Sequence, residues 1–225
     1  MGGLAGHMAH LHESTDLTFN DIADALTKIA QADITATEKV DGQNLFITVD
    51  DQSRLRAARN LGDLRKGGMA PKEFSDKWKG HPAESAFVGG FDALEIALGQ
   101  LSAKELKDLF AQGQRYVNLE IMYPGNPNMV VYSGAQIVLH GASDLDPDGR
   151  GTTETPESRE AFQALSAALD AAEVEVNQEI WRVNGPAIME LKDISDGSAL
   201  QEATQQIEQL AAPVGMDATL GDYVA

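Results

Sequence analysis

The stretch Thr37-Glu38-Lys39-Val40-Asp41-Gly42-Gln43-Asn44-Leu45-Phe46 decides how this 225-residue chain is to be read. It sets Lys39 between Glu38 and Asp41, in surroundings that are otherwise apolar or β-branched. Residues 34 to 40 and 44 to 50 both carry strand composition, and Asp41-Gly42 between them predicts a hairpin that turns there. Asp50-Asp51 offers a second turn into 55 to 59, a third strand of a meander. Lys39 is then either a surface lysine in a local ion pair, a common arrangement that costs little, or a positioned nucleophile.

Working outward, the period of the apolar residues changes to that of a helix. Before the stretch, 18 to 32 reads as an amphipathic helix capped by Thr18 with Asp21, its stripe formed by Ile22, Leu26 and Ile29. After it, Pro71 opens a helix, and Phe87, Phe91, Leu94, Ile96 and Leu98 follow in a segment interrupted by Gly89-Gly90. Ser102 and Glu105 form a capping box for a short helix to Phe110. Strand patterning returns at 115 to 123, 129 to 132 and 136 to 140, with the turn-rich Pro124-Gly125-Asn126-Pro127-Asn128 between the first two. Thr155 and Pro156 start a helix to about 172, the piece 174 to 183 is ambiguous, and Ser198 with Gln201 caps a helix to Ala211. The expected organisation is α+β: an arm at 1–14, a core at 15–142, a mobile polar loop at 143–155, and an acidic, mainly helical segment at 156–225.

Composition bounds the function. Lys and Arg number 17 against 35 Asp and Glu, a net charge of −18, so the chain as a whole is not built to coat nucleic acid or an anionic membrane. The excess is uneven: residues 1 to 125 carry 13 basic and 18 acidic side chains, residues 126 to 225 carry 4 and 17. One stretch is basic, where 52 to 79 holds Arg54, Arg56, Arg59, Arg65, Lys66, Lys72, Lys77 and Lys79 against Asp63, Glu73 and Asp76. It is either a strand contact for nucleic acid or a solvated surface turn. The absence of cysteine excludes disulfides, thiolate metal sites and Cys nucleophiles. No signal-peptide pattern and no uncharged apolar run of about 18 residues are present, so a cytoplasmic protein that does not engage a membrane is expected.

Weaker constellations accompany these. His7, His10 and His12 have metal-ligand character for Zn²⁺ or Ni²⁺. Asp144, Asp146 and Asp148 alternate as in a calcium loop, but the Glu such a loop requires is not at its spacing. His81 and His140 are isolated and read as structural, as do Trp78 and Trp181.

The opening stretch resembles motif I, Lys-x-Asp-Gly, of the covalent nucleotidyltransferase superfamily of ATP-dependent DNA ligases, RNA ligases and capping enzymes. Glu38 before the lysine and Asn44 after the Gly make it most similar to the phage RNA-ligase branch. Ala57-Ala58-Arg59-Asn60 is similar to motif Ia, Val117-Asn118-Leu119-Glu120-Ile121 to motif III, and 136 to 140 stands where motif IIIa would fall, without its aromatic residue. The resemblance spans about 7 to 141. It implies an antiparallel-sheet, ATP-grasp-like ligase adenylation core with flanking helices, ahead of the acidic helical segment. It also implies ATP and Mg²⁺ as cofactors, with Lys39 attacking the α-phosphate to give lysyl-AMP.

By the same resemblance Glu38 lies by the adenine, Asn44 and Arg59 serve ribose and phosphate, and Glu120 holds a ribose hydroxyl; Asp41 and Gly42 complete the nucleotide-binding set. Arg54, Arg56, Arg65 and Lys66 become nucleic-acid contacts, with RNA or DNA ends or nicks as partner. GTP in place of ATP stays open. The chain departs from the family where motif IV and the Lys-x-Lys of motif V are due, since Lys192 is the only lysine after Arg115. The expectation is therefore an N-terminal part of a split or truncated enzyme completed by a complementary chain. The alternative is a phage-type protein that binds nucleotide or a partner on the same scaffold without catalysis.

Overall fold

A computed structural model describes residues 14–34, 36–37, 39–148, 151–189 and 191–224, with the side chains of Ile188 and Met189 left aside. Glu38, His7, His10 and His12 lie outside the described residues. Along the chain run α1 (Phe19–Ala30), β1 (Ala36–Thr37), β2 (Gln43–Val49), β3 (Leu55–Ala58), α2 (Leu61–Leu64), α3 (Pro71–Trp78), α4 (Glu84–Leu98) and α5 (Ala103–Leu109). There follow β4 (Arg115–Met122), β5 (Ala135–Leu145), β6 (Thr152–Thr153), α6 (Pro156–Leu169), β7 (Ala172–Val176), β8 (Glu179–Asn184), β9 (Ile188–Met189), α7 (Ser198–Ala211) and α8 (Leu220–Val224). The fold is α+β, in two compact units: Lys39–Pro186, and one made of the described residues from 14 to 37 and from 187 to 224.

The larger unit is a mixed sheet in the order β3-β2-β4-β5-β8-β7, with β6 paired to the end of β5. All its pairings are antiparallel except β5 with β8, which run parallel. The expected antiparallel sheet is corrected to that extent. Alternation along the strands puts Leu45, Ile47, Val49, Val117, Leu119, Ile121, Ile137 and Leu139 on one face, buried against Phe74, Phe87, Phe91 and Leu94 of α3 and α4 and Leu165 and Leu169 of α6. Each such side chain removed from water contributes about 1.5–3 kcal/mol. Gly89 and Gly90 do not break α4. Added Cβ atoms there would stand 2.8 Å from Trp181 and 2.8 Å from Ile121, so the pair lets the helix lie close on the sheet.

The hairpin expected at Asp41-Gly42 does not form. Both edges of β2 are occupied, one by β3 and the other by β4, which leaves no edge for residues 34 to 40. Ala36 and Thr37 pair instead with Met189 and Ile188. Residues 129 to 132 are no strand either, because the backbone N–H groups of Met129 and Val130 donate to the Asp41 carboxylate. The segment from 156 on is less helical than its composition suggested: β7 and β8 form an antiparallel hairpin inside the sheet, turning at Asn177 and Gln178, both at positive φ. Val174, Val176, Trp181 and Val183 face the core while Glu173, Glu175, Ile180 and Arg182 face water, which is the strand period. The expected loop at 143 to 155 is occupied by the end of β5 and by β6. There Asp144 binds Arg115 at 2.7 Å and accepts from Thr155, while Asp146 accepts from Thr153, so both carboxylates tie this segment to its neighbours.

In the second unit the Thr18 capping box opens α1 as expected, and Phe19 packs with Ile207 and Ala211 of α7. α7 begins with Gly197 as its N-cap and not Ser198, which already lies inside the first turn.

Candidate functional site

Alternation that buries Leu45, Leu119 and Ile121 must turn Asn44, Asn118 and Glu120 to the opposite face of the sheet. Two small apolar patches frame them there. Phe46, Ala58, Leu64 and Tyr116 form one, and Val40, Met122, Val138 and Tyr132 form the other. Between Tyr116 and Met122 on β4 fall Asn118 and Glu120, a polar interval on a face whose ends are apolar. Asn44 stands opposite Glu120 and donates to Asn118 at 2.6 Å. Glu120, only 9% exposed, accepts from the Gly42 amide at 2.8 Å.

A β-bulge brings in a residue that sequence reasoning had set aside. Asn118 pairs with Gly141 and Leu119 with Leu139, so His140 is the extra residue between them. Its ring turns to Glu120, with Nε2 3.9 Å from Oε1, and that nitrogen is buried without a hydrogen-bond partner. Burial holds the imidazole below its ordinary value, and the Glu120 carboxylate opposes this only in part. No local pattern marks His140, because a bulge is a property of strand pairing.

Residues 41 to 43 form one rim of this face. The Asp41 carboxylate accepts from Met129 N–H at 2.7 Å and Val130 N–H at 2.9 Å, and its own N–H donates to the Tyr132 hydroxyl at 2.9 Å. The Val130 N–H above all, with those of Met129 and the Asn128 side chain, holds the Asp41 carboxyl below its ordinary value against a smaller desolvation effect. Asn128 donates to Gly42 O at 2.7 Å and accepts from Gln43 at 2.6 Å. A Cβ on Gly42 would sit 2.8 Å from Ile121 O, so only glycine lets the chain pass this close to β4. Lys39 is exposed, two residues before Asp41.

Of the residues singled out in the sequence, Asp41, Gly42, Asn44 and Glu120 come together on this face, and Lys39 leads into it. Arg59 does not join them. Its guanidinium lies over the rings of Phe87, 4.7 Å from the centroid, and Trp78, 5.7 Å away, on the face covered by α3 and α4. Desolvation there lowers its pKa, with the Asp63 carboxylate opposing. Arg54 pairs with Asp50 at 2.7 Å, and Arg56 donates to the carbonyls of Gly67 and Gly68. Both line a cleft of about 360 Å³ with Thr48, Gly67 and Gln114, so they gather near one another but are already engaged. Arg65 and Lys66 are exposed in the turn after α2. Among the described residues no three His, Asp or Glu side chains converge as a metal site.

Comparison with family models, with curated proteins and with solved structures finds no match to this chain.

Proposed function

We propose that the polar face around Glu120 binds ATP and that Lys39 is the nucleophile of a polynucleotide-ligase type nucleotidyltransferase built on a nucleotidyltransferase-like core. The observation that carries this reading is the 2.8 Å hydrogen bond from Gly42 to Glu120, which joins the stretch resembling motif I to the one resembling motif III, with Asn44 beside them. In the step proposed, the neutral Lys39 amine attacks the α-phosphorus of ATP. The Nζ–P bond forms, the bond to the leaving pyrophosphate breaks, and the amine proton passes to solvent. Mg²⁺ enters with the triphosphate and offsets its charge. Glu120 and Asn44 orient the nucleoside, and the AMP is then passed to an RNA or DNA end.

A second reading, nucleotide or partner binding without transfer, is favoured by two facts. Arg59 lies under α3 and α4, and no lysine follows Arg115 in the sheet. In the first reading a complementary chain supplies those missing cations.

The test is intact-mass analysis after incubation with ATP or GTP and Mg²⁺, alone and with any such chain. Catalysis predicts an AMP or GMP adduct that disappears in Lys39→Ala. If no adduct forms under any of these conditions while ATP binding is retained, the second reading stands and the first falls.

A further inference from the structure

The sheet ladder holds β2 from Gln43 onward, where Gln43 pairs with Ile121. Upstream of it the chain needs other anchors, and residues 128–132 supply them. Five hydrogen bonds from this segment end on three consecutive residues, Asp41, Gly42 and Gln43. Apolar burial does little to hold the segment. Tyr132 packs on Val40, Met122 and Val138, but Met129 is 94% exposed and Val131 72% exposed, and exposed apolar area contributes no hydrophobic stabilisation. The attachment is thus directional and polar: it engages the backbone at Asp41 N–H and Gly42 O, through Tyr132 and Asn128, and the side chains of Asp41 and Gln43, two to four residues after Lys39.

We propose that residues 128–132 are a strap that fixes the backbone at 41 to 43 and so sets the position of Lys39, making Asn128 and Tyr132 positioning residues for the transfer step. This rests on the nucleotidyltransferase reading of the site. Asn128 acts through its amide, donating to Gly42 O and accepting from Gln43, a pairing that Asp or Ala at this position cannot reproduce. Tyr132 acts through its hydroxyl oxygen, which takes the Asp41 N–H, while its ring serves the apolar patch. The two functions of Tyr132 separate cleanly in Tyr132→Phe, which keeps the ring and its packing.

The experiment uses the full chain as wild type, Asn128→Ala and Tyr132→Phe, together with whatever partner the adduct assay requires. Adduct formation is followed over a range of ATP concentrations, and amide hydrogen exchange is followed over 39 to 44. The strap predicts that both variants lose about tenfold or more in rate at saturating ATP, as small misplacements of a reacting group do, with little change in half-saturating ATP. It also predicts faster exchange over 39 to 44 at an unchanged melting temperature. Wild-type rates in both variants, or a change confined to half-saturating ATP, would overturn it. If the wild type forms no adduct, the nucleotidyltransferase reading falls separately. The strap is then judged by acylation of Lys39 with an amine-reactive ester, referred to the exposed Lys104: a rate altered about threefold or more in both variants sustains a positional effect on this amine, and an unaltered rate ends it.

Discussion

His140 carries the plainest consequence at the scale of single residues. Its ordinary pKa is 6.5, and burial lowers the folded value. Between the two values the unfolded chain binds the proton and the folded chain does not, so stability rises with pH there. The contribution is complete above pH 6.5 and is lost as pH falls below it. His140→Gln should therefore flatten the decline of stability below pH 6.5, measured by urea unfolding at a series of pH values. An unchanged decline would mean that this imidazole does not titrate against folding. At the same scale, the sequence singled out Asp41, Gly42, Asn44 and Glu120 but offered no sign of Asn128 or of His140 as their neighbours. Asn128 reaches Gly42 across 86 positions of chain, a distance no local pattern records.

Among the elements, β3 decides the fate of Arg59. Strand alternation puts Leu55 and Ala57 in the core, and Arg59 continues on their side, over Phe87 and Trp78. Lysine cannot reproduce a planar guanidinium stacked on two rings. Arg59→Lys should cost about 0.5–2 kcal/mol, read as a lower denaturant midpoint with an unchanged slope, and should leave half-saturating ATP as it was. A rise in half-saturating ATP without loss of stability would restore Arg59 to the nucleotide. Helices were the most legible elements. Thr18, Ser102 and Thr155 cap where their side chains predicted, because capping is chemistry between residues three apart. Strand existence was legible for β2 to β5, but strand partners were not. Pairing depends on which edges remain open once the sheet is assembled, which sent residues 36 and 37 to Met189 and Ile188 and not to β2.

Across the whole molecule the net charge of −18 acts on stability through self-repulsion. Salt should relieve it: the melting temperature is expected to climb as ionic strength increases from about 0.01 to 0.15 M, over which the screening length shrinks from about 30 to 8 Å. A melting temperature that falls with salt would show that local ion pairs such as Arg54 with Asp50 outweigh the repulsion. Among the described residues no helix is long and apolar enough to cross a membrane. By itself the sequence determined the α+β class, the helix starts at Thr18, Ser102 and Thr155, the uneven charge and the stretch around Lys39, since each of these rests on composition, period or contacts a few residues apart. Only the tertiary structure decided that β7 and β8 belong to the sheet, that Arg59 faces α3 and α4, that Glu120 meets Gly42 and His140, and that residues 128–132 bond to residues 41–43. Those outcomes depend on strand pairing, a bulge and side chains brought together from distant positions, where several partners compete for the same edge and packing chooses between them.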